Sequence, residues 1–408
     1  MTPRDVIGQR SETVRRANLS AIVRELHLRG PQSRSELVLR TGLTRSGIRG
    51  LIGELVGAGL VMEHRSAPAG TPGRPSPLVS PRADHAVVLA LEVNVDSLAV
   101  AIVGLGGTVH RLERVDRPRA HVDVGEIIGD LMDLVRPSLP GLRRGDALAG
   151  IGVAVAGIVR RTDGIVRHAP NLGWRDVPLG DLLASALDLD APLWVANEAD
   201  LGGLAEHRRG AAMDVDDVVY VMGEVGVGGS VTVGGMPLVG SAGYATELGH
   251  MVVNPDGTAC GCGSWGCWET EIGERAILTR AGRSAEGGRE AITALVDDAR
   301  RGDTEAVAAL EEVASWLGTG LATLVNIFNP TLIVLGGVFE RIHPLVGTSI
   351  EQTLAERSLL ASRELVRVVP GELGLDAPIL GAAELAFEEL LSDPASRIRP
   401  RALAAAGS

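Results

Sequence analysis

The chain of 408 residues is too long for one ordinary hydrophobic core, so we expect two or three domains. Residues 1–6 lack the apolar core of a secretory signal, and no segment has the unbroken apolar length needed to span a bilayer. These features argue against secretion and membrane insertion, and they predict a cytoplasmic protein with reduced thiols.

The charge of the chain is distributed unevenly. Residues 1–80 contain twelve Arg against six Asp and Glu, whereas the rest of the chain contains 27 Arg against 45 acidic residues. A basic segment ahead of an acidic body is typical of a nucleic-acid-binding module joined to a part that does not bind nucleic acid. A solvated arginine-rich face is the alternative, which charge alone does not exclude.

Residues 14–41 show the pattern of two helices. Apolar side chains recur at helical spacing between Val14 and Leu26, and a Gly-Pro pair at 30–31 ends the first helix. Ser33 and Glu36 have the spacing of a capping box, in which each side chain accepts a hydrogen bond from the other residue's backbone. The second helix is therefore predicted to begin after Ser33 and to run to residue 41.

A third helix is predicted after a tight turn at 42–43, with Thr44 as its capping residue. Its apolar face comprises Ile48, Leu51, Ile52 and Leu55. This is a helix-turn-helix pattern, in which polar residues near the N-terminus of the last helix face base edges in the major groove. We therefore predict DNA contacts from Arg45, Ser46 and Arg49. The alternative is a helical interaction domain, which the positive charge of the segment disfavours.

The residues after the third helix predict a β-hairpin. Residues 59–63 have the pattern of its first strand, and the Pro- and Gly-rich residues 67–77 that of its tip. Such a wing lies along the DNA backbone or the minor groove, and Arg74, between a glycine and a proline, suits a narrow groove. The alternative is that this segment is a Pro- and Gly-rich linker. Both interpretations are correct if the wing leads directly into the junction between the two domains near Pro81.

From residue 86 onward, β-rich runs alternate with helical segments. Three strands are predicted within residues 86–115, a helix at 124–135, and further buried strands in two series. Strands followed by helices, twice over, indicate an α/β architecture in two lobes with a ligand in the cleft between them. An apolar helix at 312–328 packs either within one subunit or between two subunits, and the sequence does not decide which.

All three cysteines of the chain lie within eight residues. Cys260, Cys262 and Cys267 follow His250 with the spacing His-x9-Cys-x-Cys-x4-Cys. Zinc favours four nitrogen and sulfur ligands in a tetrahedron, and this set leaves no coordination position open, so we predict a structural zinc ion. A redox pair and three unrelated thiols are the alternatives. A redox motif more often reads Cys-x-x-Cys, and an odd number of cysteines does not make a disulfide framework.

Six motifs of the body carry a resemblance to a known family. They are A-P-N-L-G-W at 169–174, V-A-N-E-A-D at 195–200, G-V-G-G-S-V at 226–231, the cysteine-bearing run at 247–269, N-P-T-L-I-V-L-G-G at 329–337 and P-I-L-G-A-A at 378–383. Over residues 86–390 the chain resembles the ROK family, which includes bacterial glucokinases and sugar-responsive repressors. The implied fold is α/β, an actin-like, ribonuclease H-like sugar-kinase fold in two lobes, preceded by an all-α or winged helix-turn-helix DNA-binding domain.

The resemblance implies a division of the chain into a DNA-binding domain at 1–80 and a ROK domain at 81–408. Lobe one then comprises about 86–200 together with a C-terminal helix at about 380–393. Lobe two comprises about 201–379 and contains the cysteine motif. A helix-turn-helix ahead of the body resembles the repressor branch of the family more than its kinase branch.

The resemblance also implies which residues contact a sugar. Recognition of a polyol needs carboxylates and amides that accept from or donate to adjacent hydroxyls. The implied sugar-binding residues are Gly157, Asn171, Asn197, Glu198, Glu247, His250 and Glu269. Glu247 and His250 share a face if their segment is helical, and a zinc-bound imidazole keeps a second N–H for a sugar hydroxyl or a carboxylate. For Asn171 or Glu269 alone, a helix cap or a surface position is the alternative.

The chain departs from the kinases of this family at three places. The kinases have an Asp-x-Gly-Gly-Thr-Lys turn, whose glycines let backbone amides approach ATP phosphates. At the matching positions 92–97 this chain reads Glu-Val-Asn-Val-Asp-Ser, without the two glycines and the lysine. Asp96 would also bring negative charge towards a phosphate. The kinases' second phosphate turn reads Thr-Gly-x-Gly, whereas this chain has Val-Gly-Val-Gly at 225–228 and so lacks the threonine hydroxyl. The kinases' catalytic Asp is replaced by Glu198 in this chain. The extra methylene of Glu displaces the carboxylate by about an ångström, and a displacement of that size can cost roughly a hundredfold in rate. We therefore predict no catalytic residue and no ATP-dependent sugar phosphorylation.

The combined expectation is a transcriptional regulator, a repressor of carbohydrate-metabolism genes, whose body binds a sugar or sugar derivative and thereby changes operator affinity. Its expected partners are operator DNA and this effector, with no membrane partner. Two half-sites read by two recognition helices imply a homodimer or homotetramer. The alternatives are an active sugar kinase with an accessory head, and a regulator whose body responds to a protein partner.

Overall fold

The computed structural model describes residues 11–64, 76–119, 123–143 and 147–398. Its helices are α1 Ser11–Arg29, α2 Arg34–Thr41, α3 Arg45–Gly57, α4 Val124–Val135, α5 Leu139–Arg143, α6 Leu179–Leu187, α7 Glu198–Arg209, α8 Trp268–Ile272, α9 Glu274–Arg280, α10 Gly288–Arg300, α11 Thr304–Phe328, α12 Val338–Arg357, α13 Leu360–Arg363 and α14 Ala377–Ser392. Short 3-10 helices lie at Leu248–His250, Gly374–Asp376 and Pro394–Arg397. Among these described residues, no helix is both long enough and apolar enough to cross a membrane.

The strands form four sheets. They are β1 Gln32–Ser33, β2 Val61–His64, β3 Leu78–Pro81, β4 Val87–Val93, β5 Ser97–Gly104, β6 Thr108–Asp116, β7 Leu148–Val155, β8 Ile158–Arg160, β9 Ile165–Ala169, β10 Trp174–Val177, β11 Leu193–Asn197, β12 Val218–Gly223, β13 Val227–Val233, β14 Met236–Pro237, β15 Leu332–Gly337 and β16 Arg367–Pro370. The sheet orders are β1-β3-β2, β10-β9-β8, β11-β7-β4-β5-β6 and β14-β13-β12-β15-β16.

The local signals in the sequence set the ends of α2 and α3. Ser33 Oγ accepts a hydrogen bond from Glu36 N at 3.2 Å, and Glu36 Oε2 accepts one from Ser33 N at 2.6 Å, so the predicted capping box is confirmed. Gly42 ends α2 with φ 69°, a left-handed conformation that side chains disfavour. Thr44 caps α3, because its Oγ1 accepts a hydrogen bond from Gly47 N at 3.2 Å.

The sheet β1-β3-β2 completes a region that we call the head, residues 11–64 and 76–81. Strands β2 and β3 are antiparallel, as the predicted hairpin requires. Strand β2 begins at Val61, two residues later than the predicted start at residue 59. The predicted tip with Arg74 lies outside the described residues.

The rest of the described chain, from residue 82 on, is called the body and contains two five-stranded sheets of the same design. In each sheet, three antiparallel strands in sequence order are followed by two strands parallel to the first of them. The first sheet uses β4, β5, β6, β7 and β11, and the second uses β12, β13, β14, β15 and β16. This repetition confirms the predicted two-lobed α/β fold.

Helix α14 packs closely against both the first sheet and helix α7. A Cβ on Gly152 of β7 would overlap the carbonyl oxygen of Ala382 in α14. Likewise, a Cβ on Gly381 of α14 would overlap the carbonyl oxygen of Leu201 in α7. These two glycines allow the three elements to approach each other at backbone distance.

Helix α7 contacts elements of both lobes. One side packs on α14, and other residues pack on β12 and β13 of the second sheet. A Cβ on Gly202 would lie 2.9 Å from the ring of Tyr220 in β12, and one on Gly203 would overlap Ser230 in β13. Because it is held on both sides, α7 lies at the junction of the lobes.

The head and the body share one hydrophobic cluster. Leu19, Ile22 and Leu26 of α1 are fully buried in the same cluster as Phe387 and Leu390 of α14. The apolar periodicity that predicts α1 therefore reflects burial against a helix far away in the sequence, as well as packing within the head.

Candidate functional site

The cysteine-bearing loop is shaped by its glycines and by a backbone bridge. Val252 and Cys267 form an isolated antiparallel bridge, which closes the loop at its base. Gly266 has φ 64°, and a Cβ there would overlap the carbonyl oxygen of Asn254. Only a glycine fits this position without moving the backbone, so the loop can fold tightly enough to bring its cysteines together.

The structure brings the four predicted zinc ligands into one cluster. The ligand atoms of His250, Cys260, Cys262 and Cys267 all lie within 4.8 Å of one another. Cys260 Sγ lies 3.7 Å from His250 Nδ1, and Cys262 Sγ lies 3.7 Å from Cys267 Sγ. A tetrahedron with Zn–S bonds of about 2.3 Å has S–S edges of about 3.8 Å. The arrangement therefore fits a tetrahedral metal ion, and the three thiols are free of disulfides.

A cleft of about 1510 Å³ opens between elements of the two lobes. It is lined by all seven residues for which the family resemblance implied sugar contacts: Gly157, Asn171, Asn197, Glu198, Glu247, His250 and Glu269. Two of the cysteines, Cys260 and Cys262, also line it. The metal-ligating cluster is thus part of the wall of the cleft.

Gly157 and Asn197 connect two walls of the cleft. Asn197 Nδ2 donates a hydrogen bond to the carbonyl oxygen of Gly157 at 2.9 Å. Gly157 has φ 140°, and a Cβ there would lie 2.6 Å from Ala169 Cβ at the end of β9. The position therefore needs glycine for two reasons, its backbone conformation and its close packing.

Asn197 and Glu198 form the start of helix α7 in the cleft. Asn197 Oδ1 caps the helix by accepting hydrogen bonds from Ala199 N at 2.7 Å and Asp200 N at 3.3 Å. Glu198 Oε2 is buried and has no hydrogen-bond partner among the described residues. Burial, together with neighbouring carboxylates such as Glu224, raises the pKa of Glu198 well above its usual value. A buried acceptor without a partner suits a ligand that donates hydroxyl protons.

Glu269 links the cysteine-bearing loop to the second glycine-rich turn. Its Oε2 accepts a hydrogen bond from Val227 N at 2.9 Å, and its Oε1 lies 4.0 Å from Cys260 Sγ. A Cβ on Gly226 would lie only 2.5 Å from Glu269 Oε2. The absence of a side chain at Gly226 therefore makes room for the Glu269 carboxylate.

Glu247 precedes a single turn of 3-10 helix, Leu248–His250. Glu247 and His250 were predicted to share a face if their segment is helical, and this one short turn is the extent of the helix there. Burial, with like charge from Asp200 and Glu269, raises the pKa of Glu247 to about 7.

Two cleft residues were not identified from the sequence. His168 lies at the end of β9, and its Nδ1 is buried without a hydrogen-bond partner among the described residues. Glu224 lies in the turn between β12 and β13, and burial raises its pKa to about 7. His168 directly precedes the A-P-N-L-G-W motif, and this position in the sequence is the signal from which it could have been identified.

Asp96 lies in a cluster of ion pairs that joins the lobes. Arg119 Nη2 donates to Asp96 Oδ2 and to Glu274 Oε2, each at 2.9 Å. Arg289 Nη2 of α10 donates to Asp96 Oδ1 at 3.1 Å. The negative charge that Asp96 was expected to bring towards a phosphate is paired with two guanidinium groups, which are themselves shared with Glu274 and Glu224. The same contacts place arginine side chains beside the turn that binds phosphate in the kinases.

The residues predicted to contact DNA lie on the exposed face of α3. Arg45, Ser46 and Arg49 are exposed, and Ser46 Oγ lies 3.2 Å from Thr44 Oγ1. Within the described ranges, Arg45 and Arg49 form no hydrogen bond or ion pair. Both guanidinium groups are therefore available to a partner, and they belong to the head rather than to the cleft.

Known proteins similar to this chain include both regulators and kinases. A xylose repressor from Bacillus spizizenii is 28% identical over 385 residues, which cover 93% of this chain and 97% of that protein. A glucokinase from Streptomyces coelicolor is 29% identical over 320 residues, which cover 74% of this chain and 98% of that protein. The similarity to the repressor therefore extends into the head, whereas about a quarter of this chain has no counterpart in the glucokinase.

Solved structures show the same division. A ROK family transcriptional regulator, a homologue of the E. coli MLC protein, has a TM-score of 0.76 and 26% identity, covering 94% of this chain and 99% of that one. A ROK family glucokinase from Streptomyces griseus, solved with glucose and AMPPNP, has a TM-score of 0.62 and 28% identity, covering 73% and 98%. In addition, residues 88–389 match the sequence profile of the ROK family. The chain therefore belongs to the ROK family.

Proposed function

We propose that this protein is a transcriptional repressor of carbohydrate-metabolism genes that binds operator DNA through its head and a sugar or sugar derivative in the cleft of its body. The observation that carries the proposal is similarity over nearly the whole length, head included, to proteins named xylose repressors and to a ROK family transcriptional regulator. The glucokinases that the chain resembles cover only about three quarters of it.

The cleft supports the effector half of the proposal. Its carboxylates and amides converge from several elements, and within the described parts of the chain the buried Glu198 Oε2 has no hydrogen-bond partner. We assign the sugar contacts to Gly157, Asn171, Asn197, Glu198, Glu247, His250 and Glu269, with His168 added from its position in the cleft. A polyol can satisfy these groups because each hydroxyl both donates and accepts.

Zinc is the metal that best suits the cluster at the wall of the cleft. Three thiolates and one imidazole form a closed tetrahedral set, which is typical of structural zinc. We propose that His250, Cys260, Cys262 and Cys267 hold it. The ion would fix the loop that carries Glu269, while Nε2 of a His250 ligated through Nδ1 stays available to the sugar or to a carboxylate.

The head supports the DNA half of the proposal. Arg45, Ser46 and Arg49 would contact base edges in the major groove, and Arg74 would contact the minor groove or backbone. A symmetric operator would be bound by a homodimer or homotetramer in the cytoplasm. We also propose the domain division at residue 80, with lobe one at about 86–200 plus 380–393 and lobe two at about 201–379.

An active sugar kinase is the second candidate, because the chain keeps a carboxylate at position 198 and resembles glucokinases. We propose that phosphorylation has been lost. The glycines and the lysine of the first phosphate turn are absent, and Asp96 there is engaged by Arg119 and Arg289. An arriving phosphate would have to displace these ion pairs.

One experiment separates the candidates. Immobilised protein is used to select fragments of its own genome, and binding of the selected fragment is measured with a sugar panel of D-xylose, D-glucose, D-mannose, D-galactose and L-arabinose. We expect one operator, a several-fold change in its affinity with one sugar, and loss of binding in an Arg45→Ala/Arg49→Ala double variant. An Arg16→Ala variant on α1 is the control for removal of positive charge.

Two results would contradict the proposal. Sugar-dependent release of ADP from ATP at ordinary enzymatic rates would favour the kinase. If no sugar raises the melting temperature, the body responds to something else, such as a protein partner, since an effector at a hundred times its Kd should stabilise by about 2.7 kcal/mol.

A further inference from the structure

Helix α7 runs from the cleft to the head. Its N-terminal residues, Asn197 and Glu198, line the cleft, and its last residues, Arg208 and Arg209, contact groups that also contact helix α1 of the head. The helix has twelve residues, which corresponds to a length of about 18 Å. One rigid element therefore begins at the proposed sugar site and ends at the base of the DNA-binding helices.

The end of α7 reaches a buried polar cluster formed by three helices. Arg209 Nε donates to Glu384 Oε1, and Arg209 Nη2 lies 2.7 Å from His27 Nε2. His27 Nε2 lies 3.1 Å from Glu384 Oε2. His27 is 0% exposed and Glu384 is 1% exposed, so both groups depend on these contacts.

The orientation of His27 is fixed from both sides. Gly106 N, in the turn between β5 and β6, donates to His27 Nδ1 at 3.0 Å, which leaves the proton of the neutral ring on Nε2, where it faces Glu384. With Nε2 protonated, Arg209 binds His27 by donating from Nη2 to the His27 carbonyl oxygen at 3.4 Å. Burial lowers the pKa of His27 against the attraction of Glu384, which favours the neutral ring. The ring of Phe387 lies 4.9 Å away, centroid to centroid. The head residue is therefore held by lobe one, α14 and α7 together.

A second contact repeats the pattern one helical turn further along α14. Arg208 Nη2 of α7 donates to Glu388 Oε2 at 2.8 Å, and Arg24 Nη1 of α1 donates to the same oxygen at 3.2 Å. Glu384 and Glu388 of α14 are thus each contacted from both α7 and α1, and Arg208 Nη1 also lies 3.6 Å from Glu384 Oε2. The pairs are Arg209 with His27 on Glu384, and Arg208 with Arg24 on Glu388.

This arrangement can respond to events in the cleft. At its N-terminus, α7 presents Glu198 Oε2, to which no other residue that the structure describes forms a hydrogen bond, so a bound sugar would interact differently with different positions of the helix. Along its length, α7 packs on α14 and on strands of the second sheet, so a change in the angle between the lobes acts on it. At its C-terminus, hydrogen bonds of fixed geometry between buried groups tolerate little displacement.

We infer that helix α7 transmits occupancy of the cleft to the head, and that Arg208 and Arg209 are the positioning residues which, through Glu388 and Glu384, set the placement of α1 for operator binding. This inference rests on the proposed function and names the route of its regulation. Arg208 and Arg209 contact neither sugar nor DNA in this scheme; they act through the carboxylates of α14, and Arg209 acts also through its direct contact with His27 of α1.

The test measures how strongly a sugar changes operator affinity in Arg209→Met and Arg208→Met proteins. Operator affinity is measured by fluorescence anisotropy without sugar and with the binding member of the sugar panel, and sugar affinity is measured separately by calorimetry. Arg283→Met is the matched control, because Arg283 pairs with Asp298 in lobe two, away from α7 and α1. Circular dichroism and zinc content establish that each variant is folded.

We expect the wild-type and Arg283→Met proteins to show the same sugar-dependent change in operator affinity, within the roughly 5- to 150-fold range usual for coupled sites. In Arg209→Met and Arg208→Met, this change should fall to about twofold or less, while sugar affinity stays within about threefold of wild type. A purely structural role would lower sugar affinity, operator affinity and melting temperature together and leave the ratio unchanged.

The outcomes distinguish the inference from the function on which it rests. If the wild-type protein binds sugar but its operator affinity does not change, the proposed function fails. If the wild type responds and both arginine variants respond equally, the function stands and the route through α7 is overturned. Should Arg209→Met fail to fold, Glu388→Gln decides, because Glu388 is 42% exposed and tolerates replacement: a reduced ratio supports the route, and an unchanged ratio overturns it.

Discussion

Single carboxylates in this protein experience opposite electrostatic surroundings at two places. In the cleft, burial raises the pKa of Glu224 and Glu247 from their usual value to about 7. Beside the head, burial also acts to raise the pKa of Glu384, but His27 and Arg209 outweigh it and lower the pKa to about 2. Burial therefore outweighs the attraction of Arg289 at Glu224, whereas cationic neighbours outweigh burial at Glu384.

Replacing Glu224 with Gln should change the pH dependence of stability. Its pKa is raised in the folded state, so its cost to stability is absent below the usual value of 4.5, grows as pH rises and is complete above about 7. The groups that act on it are Arg289, which lowers the pKa, and Asp96, Glu92 and Glu274, which raise it. Relative to wild type, the variant should gain up to about 3 kcal/mol between pH 5 and pH 8.

Urea unfolding at several pH values measures this gain. The control is Glu290→Gln, which removes a carboxylate from an exposed position on α10. A difference between the Glu224→Gln and wild-type proteins that does not change with pH would contradict the assignment of a protonated Glu224.

Replacing Cys262 with Ser should abolish zinc binding at the proposed site. Cys262 contributes one of four ligand atoms in a cluster less than 4.8 Å across, and a hydroxyl is a poor substitute for a thiolate. We expect zinc below stoichiometric amounts by elemental analysis and a loss of about 3 kcal/mol or more of stability. Ser264→Ala, in the same loop, should keep its zinc; full zinc in Cys262→Ser would refute the ligand set.

At the scale of elements, α14 is the helix on which the others are assembled. It packs on four strands of the first sheet, on α7 and on α1. Its glycine at 381 allows α7 to approach, and its carboxylates at 384 and 388 bind the arginines of α7 and residues of α1. Apolar, small and charged positions of one helix thus serve three different neighbours.

Replacing Gly381 with Ala should separate α7 from α14. The added Cβ would overlap the backbone carbonyl of Leu201, which cannot move without shifting α7, so we expect a loss of about 2 to 3 kcal/mol. Gly129→Ala in α4 is the control. A Cβ there meets nothing within 4 Å, so the better helix propensity of Ala should stabilise the protein by about 0.5 to 1 kcal/mol. Chemical denaturation of both variants measures the two values, and equal signs would contradict this packing.

Much of the element structure was predictable because its causes are local. The capping box of Ser33 and Glu36 and the turn at Gly42 require only neighbouring residues, so α2 has the predicted ends and α3 has the predicted start after Thr44. The metal-ligating cluster was predictable for a similar reason, since all four ligands lie within eighteen residues of sequence. Where the interacting residues are close in sequence, their spacing alone predicts the interaction.

The remaining features depend on partners that are distant in sequence. Nothing beside His27 indicates that it would be buried against Glu384, because 357 positions separate the two residues. In the same way, the negative charge of Asp96 is visible in the sequence, but its neutralisation by Arg289, 193 positions away, is not. The seven cleft residues were found only through family motifs, since no spacing rule joins residues 157 and 269.

At the scale of the whole molecule, the head and the body share part of one core. The fully buried residues of α1 belong to the same cluster as those of α14, and buried polar contacts cross the same boundary. A head seated in this way cannot change its position without disturbing the body, which is the property that a sugar-responsive repressor requires.

Replacing Leu26 with Ala should therefore destabilise the body as well as the head. Leu26 is fully buried, so the cavity should cost about 2 to 5 kcal/mol. All five tryptophans lie in the body, so tryptophan fluorescence reports on the body alone. We expect its unfolding transition to shift with that of circular dichroism. Leu39→Ala, at a position 83% exposed, should leave both unchanged. A fluorescence transition unaffected by Leu26→Ala would show that the head unfolds independently.

The contact between α1 and α14 also has a consequence during synthesis. Helix α1 leaves the ribosome well before α14, because the carboxylate that His27 needs is 357 residues behind it. At about 5 to 20 residues per second, the nascent head waits roughly 20 to 70 seconds before α14 emerges. Until then, the apolar face of α1 that includes Leu19, Ile22 and Leu26 lacks its partners from α14 and is a surface for a chaperone. A transcript cut short before α14 would yield a head whose docking site was never made.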